Sequence, residues 1–280
     1  LPSDWTPIIE FKGLFNGNGK TITTTGTTKF EIDNSNNTVH GILCNYNKGT
    51  ITNFNLVINE LTTYATSTNK QYYHKGTYTV YNGGIAGINH GDIDNVTVIA
   101  NKRLCNDRNN SAFGVITGLN HGTISNCTVN VKEDVYSTGD AGGIAGRSNG
   151  TISNCTFTGK IGIYVSEDNG GETIRSWGGI VGYAYGGTIK NCKNVKAEFH
   201  YHGENDMYHK KVLGIIHSKC NLQIKVGVII GHKENNTTMT NCEYVKDSNK
   251  LHLDGGDFHN GSHEKKYLFA NENGKIGKIG

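Results

Sequence analysis

No apolar run in this chain approaches the roughly 18 residues that a helix needs to cross a bilayer, so the 280-residue sequence holds no helical membrane span. Charge is also sparse. Only 18% of residues are charged, and 27 basic and 24 acidic side chains spread along the chain leave a net charge of +3. That offers no basic stripe to follow a phosphate backbone, which argues against a nucleic-acid partner. Proline and methionine number two each. Seven cysteines are too few for a disulfide scaffold and odd in number, so at least one has no partner within the chain. Leu1 does not open a charged and then apolar leader, and the sequence reads as a mature ectodomain or as a piece excised from a longer chain.

What is abundant is glycine, asparagine and threonine, at 38, 35 and 29 residues. Glycine costs about 1 kcal/mol relative to alanine at an interior helical position, and asparagine and threonine are also poor helix formers. Long helices are therefore excluded, and many short strands joined by Gly- and Asn-rich turns remain.

The strands repeat. Gly84 to Val98 reads GIAGINHGDIDNVTV, Gly114 to Val129 GVITGLNHGTISNCTV, and Gly143 to Phe157 GIAGRSNGTISNCTF. Gly179 to Cys192 reads GIVGYAYGGTIKNC, Gly227 onward GVIIGHKENNTTMTNC, and an earlier copy, GILCNYNKGTITNFNL, starts at Gly41. The marker asparagines Asn53, Asn95, Asn126, Asn154, Asn191 and Asn241 lie 42, 31, 28, 37 and 50 residues apart. The motif is constant and the connection is not.

Within Thr123–Val129, Ile124 and Cys127 are both apolar but three residues apart. Strict alternation breaks there, so a bend falls at Ser125-Asn126. Gly-Ile-Ala-Gly reads as a short strand with one large inward side chain, and Asn120-His121-Gly122 as a turn whose glycine takes positive φ. One unit buries about three apolar side chains and is stable only when stacked. The fold class expected is all-β, a parallel β-solenoid. Leader or cap strands occupy 1–40, repeats 41–245 and a C-terminal cap or tail 246–280. Stacking at about 4.8 Å puts Ile85, Ile144 and Ile180 in one column and Cys127, Cys155, Cys192 and Cys242 in another. The marker asparagines form a third, with amides bonding coil to coil from inside the bend. The rival architecture is a sandwich with similar strands.

The unit Gly-Gly-Ile-Ala-Gly followed by Gly-Thr-Ile-Ser-Asn-Cys resembles the GLUG-type repeat of bacterial surface proteins. Trp5-Thr6-Pro7-Ile8 and Phe15 to Ile22 are similar to the leader strands of such arrays. The resemblance covers roughly residues 5 to 245. It implies secretion and a surface or matrix setting, and no particular activity.

The four column cysteines stand where other copies have Val96 and Phe54, which suits a small buried hydrophobe. A bridge such as Cys127 to Cys155 also fits the Cα range. Cys44, Cys105 and Cys220 lie off the column. Nine Asn-x-Ser/Thr sequons occur, at Asn36, Asn95, Asn109, Asn126, Asn149, Asn154, Asn235, Asn236 and Asn260. Three of these are bend asparagines, placed where no glycan fits. Solenoid ends expose strand edges, so head-to-tail assembly of the protein with itself into a filament is one expected partnership.

Candidate binding residues sit where connections vary. Trp177, Tyr183 and Tyr185 cluster near the fifth copy, and Tyr201 and His202 lie in the insert from Lys193 to Lys225; aromatic rings beside polar groups suit surface glycans. Other surface proteins are the further partners expected. A metal site drawn from His200, His202, Asp206 and His209 competes with the plainer reading of an exposed polar loop. The tail residues Asp254, Asp257, His259 and His263 invite the same comparison. A calcium ion would need clustered acids, and the outward positions offer only Asp92 and Asp94. A polysaccharide lyase or hydrolase would want converging carboxylates. The outward Thr50, Thr123, Thr151, Thr188 and Thr238 raise an ice-binding alternative, although threonine favours exposed strand faces anyway. The leading expectation is a secreted, non-catalytic structural or adhesive module of a cell surface, appendage or matrix.

Overall fold

A computed structural model of the chain describes residues 1–2, 4–32, 37–65, 79–106, 111–137, 139–165, 173–203, 222–244, 250–254, 267–270 and 276–278. Every regular element among them is a β-strand. The strands fall into three sheets of seven, sixteen and eight, here sheets one, two and three.

One coil shows the plan. Ser111–Gly114 lies in sheet three, Thr117–Asn120 in sheet one, and Thr123–Ser125 with Thr128–Ser137 in sheet two, before Asp140–Gly142 returns to sheet three. Pairing between coils is parallel, and the one antiparallel pair among the described residues joins Tyr267–Ala270 to Ile276–Lys278. The chain is a parallel β-solenoid. Seven coils are described, the first being Ile8–Phe11, Leu14–Asn16, Thr21–Thr23 and Thr27–Ile32.

Register stacks like on like. Phe15, Ile51, Ile93, Ile124, Ile152, Ile189 and Met239 form one column through the core. Ile22, Leu56, Val98, Val129 and Phe157 form another. The members of these columns from Leu56 to Phe157 and from Ile51 to Ile189 are buried. No coil could shield its own apolar face, so the energy resides between coils.

Gly-Ile-Ala-Gly is not a strand. Gly84-Ile85 is a two-residue turn, and Val80–Gly83 and Ala86–Asn89 lie against one another on either side of it as a tight arch. Ile85, Ile116, Ile144, Ile180 and Ile229 project from successive turns into the core. A Cβ on Gly118 would stand 2.5 Å from the Asn82 nitrogen, and one on Gly146 2.5 Å from the Phe113 nitrogen. Two backbones approach too closely for any side chain between them. Gly122 likewise serves close approach, since its Cβ would meet the Gly91 oxygen at 2.0 Å. Its φ is not positive; among the described residues the positive-φ glycines are Gly19, Gly26 and Gly187.

Two histidines make the stack acid-sensitive. His40 stacks on Phe30 with ring centroids 5.1 Å apart, and burial pulls its pKa below 6.5 despite the Glu31 carbonyl. His90 stacks on His121 at 4.9 Å, and burial, then His121 and Lys48, lower it too. Below pH 6.5 these groups bind fewer protons folded than unfolded, so acid favours the unfolded chain. Their contribution is present above that pH and is lost as pH falls through the lowered folded values. The melting temperature is expected to drop between pH 7.5 and 5, with a shallower slope in His40→Gln; an unchanged slope would contradict this.

Candidate functional site

The bend asparagines Asn53, Asn95, Asn126, Asn154, Asn191 and Asn241 all have positive φ, between 50° and 60°. Asparagine tolerates this region better than other non-glycine residues. The left-handed residue resets the alternation, so Ile124 and Cys127 both face inward while Ser125 and Asn126 stay outside. Asn95, Asn126 and Asn154 are therefore exposed, which corrects the expectation that the bend hides them and their sequons. Their amides run coil to coil along the surface. Asn154 Nδ2 donates to Asn126 Oδ1 at 3.0 Å, Asn191 to Asn154 at 3.1 Å, and Asn95 to Asn53 at 3.4 Å. Asn126 instead donates to Asp94 Oδ1 at 2.7 Å, which also accepts from Ser125 Oγ. Asp94 is thus absorbed into the ladder, and its neighbour Asp92 is exposed.

A second, buried amide ladder escaped the sequence reading. Asn47 Nδ2 donates to Asn89 Oδ1 at 2.7 Å, Asn89 to Asn120 at 2.8 Å, and Asn120 to Ser148 Oγ at 3.3 Å. All four are fully buried. The signal was present: Asn47-Lys48-Gly49, Asn89-His90-Gly91, Asn120-His121-Gly122 and Ser148-Asn149-Gly150 share one place in the repeat.

Cys127, Cys155, Cys192 and Cys242 stack in successive coils, and no disulfide joins any of the six described cysteines. Each column thiol donates to a carbonyl two residues back, Cys127 to Ser125 at 3.0 Å and Cys155 to Ser153 at 3.3 Å. Burial pushes Cys44 up to about 12, and the adjoining Cys155 thiol and burial push Cys192 up to about 12. Thiolates are the reactive form. At pH 8 a thiol reagent should leave Cys44, Cys127, Cys155 and Cys192 unlabelled in the native protein and label all seven cysteines in denaturant. Native labelling of Cys155 at the denatured rate would contradict this placement.

Trp177 is 0% exposed, a core residue and not a ligand contact. It lies in register with Ala141, which lies in register with Phe113. A small residue between two large rings lets both fill the core.

Tyr183 and Tyr185 do come together, with centroids 5.7 Å apart. Tyr183 sits on an outward row of sheet one in which Tyr46, Ile88, Leu119, Arg147, Tyr183 and His232 stand in register, and Tyr185 follows just past the strand. Ile88 and Leu119 pack with Val39, and Tyr46, Tyr81 and Tyr185 pack against them. At Arg147 the row turns polar. Arg147 Nε donates to Asp140 Oδ2 at 2.6 Å, and Ser176 N–H donates to Asp140 Oδ1 at 2.8 Å. Asp140 is 4% exposed, and burial pushes its carboxyl up while Arg147, Ser176 and then Arg175 pull it back. Further along, the Tyr183 ring stacks on His232 at 4.7 Å and 11°. Tyr183 Oη donates to Glu234 Oε1 at 3.0 Å, and burial and that carboxylate push the phenol up to about 12. The result is a half-exposed patch of Tyr183, Tyr185, His232 and Glu234 bordered by Arg147. It offers flat apolar ring surface beside a carboxylate and a guanidinium.

The side chains of Tyr201, His200, His202 and Asp254 lie outside the described residues, as do Asp206, His209, Asp257, His259 and His263 entirely. Among the described side chains no three His, Cys, Asp or Glu residues converge as a metal site.

A family model matches residues 137–162, and it describes the GLUG motif. This chain carries the GLUG motif. The matched stretch is one full turn of the solenoid, because Ser137 stands in register with Ile163 and Tyr136 with Gly162. The GLUG unit thus comprises one arch, one buried-ladder position, one left-handed bend and one column cysteine. Neither the curated proteins nor the solved structures gave a match.

Proposed function

We propose that this GLUG-motif solenoid is a secreted, non-catalytic adhesive module of a cell surface, appendage or matrix, and that it contacts glycans through the Tyr183 patch. The observation that carries this reading is the stacked, half-exposed Tyr183–His232 pair beside Glu234. Aromatic faces with adjoining polar groups suit sugar rings. The repeated residues favour a scaffold role, because the arch glycines, both amide ladders and the thiols are engaged in coil-to-coil contact. Asp94 and Asp140 are likewise engaged, by Ser125 with Asn126 and by Arg147 with Ser176.

The test is a glycan panel read by surface binding and by release of new reducing or unsaturated ends. Binding without release is expected, weakened at least tenfold by Tyr183→Ala and unaffected by Asp92→Ala. Release of new ends, or binding indifferent to Tyr183, would count against the proposal.

Self-assembly is a second reading with its own support. Ile8, Ile9 and Leu14 of the first coil are 44%, 73% and 70% exposed, beside strand edges that pair on one side only among the described residues. Such edges accept a further strand. Electron microscopy at micromolar concentration should show end-to-end particles that Ile9→Lys disperses; monodisperse wild-type particles would remove this reading.

A further inference from the structure

Each coil turns from sheet one into sheet two at one position, and the backbone bonds there show which residues are equivalent. His90 N–H donates to the Asn47 carbonyl and His121 N–H to the Asn89 carbonyl, both at 2.7 Å. Asn149 donates to Asn120 at 3.0 Å, Tyr185 to Ser148 at 3.0 Å and Glu234 to Ala184 at 2.9 Å. Lys48 donates to Phe11 at 2.7 Å, which puts Lys12 at the start of the row. Over the first four coils the row therefore reads Lys12, Lys48, His90 and His121, and all four are exposed. It then passes through Asn149 to Tyr185 and Glu234, which belong to the Tyr183 patch. A ridge of groups that carry or acquire positive charge thus leads along the axis to the aromatic rings.

Glu10 pairs with Lys12 and, at 2.9 Å, with Lys48, and the two ammoniums hold its carboxyl down at about 2. One carboxylate between two lysines leaves a positive charge over. Beyond them the His90 and His121 rings are stacked. Asn149 Oδ1 can only accept, so His121 Nδ1 donates to it at 2.6 Å, and Nε2 is the nitrogen that acid protonates. The charged groups acting on the His90 ring are His121, Lys48 and Glu10, and Asp92 lies across the Gly91 turn in sheet two. Burial, then His121 and Lys48, make His90 harder to protonate. A bound anion would offset those like charges and favour the imidazolium, so binding takes up protons and strengthens as pH falls.

Cations one strand step apart, about 4.8 Å, suit a polymer that repeats its charge, and a linear uronate chain carries one carboxylate per sugar. We propose that the glycan read by the Tyr183 patch is such an acidic chain, laid along the solenoid axis with a sugar ring on Tyr183 and Tyr185 and its carboxylates toward His121, His90 and Lys48. The proposal rests on the patch reading above and gives it a substrate class and a direction. Glu234 of the seventh coil repels carboxylates at its own end, so the acid groups belong over the first four coils. Carboxylates stay ionised above about pH 4, whereas histidine changes charge between about pH 5 and 8. Binding therefore tightens as pH falls from 7.5 to 5.5.

The test titrates the full chain with polygalacturonate and with its methyl ester, which keeps the sugar chain and removes the charge, at pH 7.5 and 5.5. Polygalacturonate should bind at least tenfold tighter at pH 5.5 than at 7.5, and at pH 5.5 at least tenfold tighter than the ester. Tyr183→Ala should weaken both polymers. His90→Gln with His121→Gln should weaken polygalacturonate alone and abolish its pH dependence, with an unchanged circular dichroism spectrum. Lys190→Gln, which removes an exposed charge from sheet two, should change neither polymer. If the double variant fails to fold, Lys48→Gln replaces it and should weaken polygalacturonate alone at least threefold. Equal affinity for the two polymers, or a pH dependence that survives the double variant, would overturn the proposal, and a retained Tyr183 effect would then leave the patch reading standing. Binding indifferent to Tyr183 would overturn both.

Discussion

Gly118→Val is expected to eliminate the folded state at physiological temperature. The added side chain would have to occupy space where its first carbon already stands 2.5 Å from the Asn82 nitrogen and 2.8 Å from the Tyr81 carbonyl carbon. Both are backbone atoms held in sheet three by pairing on either side, so neither can retreat without opening the ladder. A loss above about 4 kcal/mol follows, in the range reached only by such structural conflicts, and it is a large part of the stability of an ordinary domain. Gly19→Ala is the control. Nothing lies within 4 Å of its missing Cβ, and its φ of 68° costs an L-residue about 1–2 kcal/mol. Urea titration followed by circular dichroism should find the first variant unfolded and the second cooperative. A Gly118→Val protein melting within a few degrees of wild type would show that the arch is looser than described.

Asp140→Ala should cost about 3–5 kcal/mol, the range for removing one partner of a buried ion pair. It would leave Arg147 without its carboxylate partner and Arg175, itself 2% exposed, without the neighbouring negative charge. The preceding coil indicates the remedy. Ala112 and Leu119 occupy the places of Asp140 and Arg147 there, and that pair is buried without any charge. Asp140→Ala combined with Arg147→Leu should therefore recover a large part of the loss in urea titration. A double variant no more stable than the single would mean that the ion pair contributes through contacts other than its own charges.

Legibility in the sequence followed the period of each feature. The bend could be read because Ile124 and Cys127 are three residues apart, a spacing no straight strand allows; the left-handed asparagine that makes it could not. Stacking could be read because the copies recur with the cysteine in place. The arch could not, because a glycine needed for close approach looks the same in one sequence as a glycine needed for positive φ. Gly118 serves close approach and Gly187 has a φ of 73°, yet both are the same letter in the sequence. Trp177 looked like a ligand contact because the room for it comes from Ala141, one coil earlier. The buried ladder was obscured because Asn89-His90-Gly91 also spells a solvent-facing turn. Arg147 and Asp140 carried no local cue, seven residues apart across a turn that had been read as a strand.

The central claim is that equivalent positions of successive coils stand over one another along one axis. Asp92, Thr123, Thr151, Thr188 and Thr238 should rise in single strand steps. Spin labels at Asp92→Cys and Thr238→Cys, with Cys105, Cys220 and Cys242 replaced by serine, measure that rise by pulsed electron resonance. Four steps at ~4.8 Å predict a backbone separation of about 19 Å, and Asp92→Cys with Thr188→Cys about 14 Å. A distance to position 188 equal to or longer than the distance to position 238 would contradict the stack.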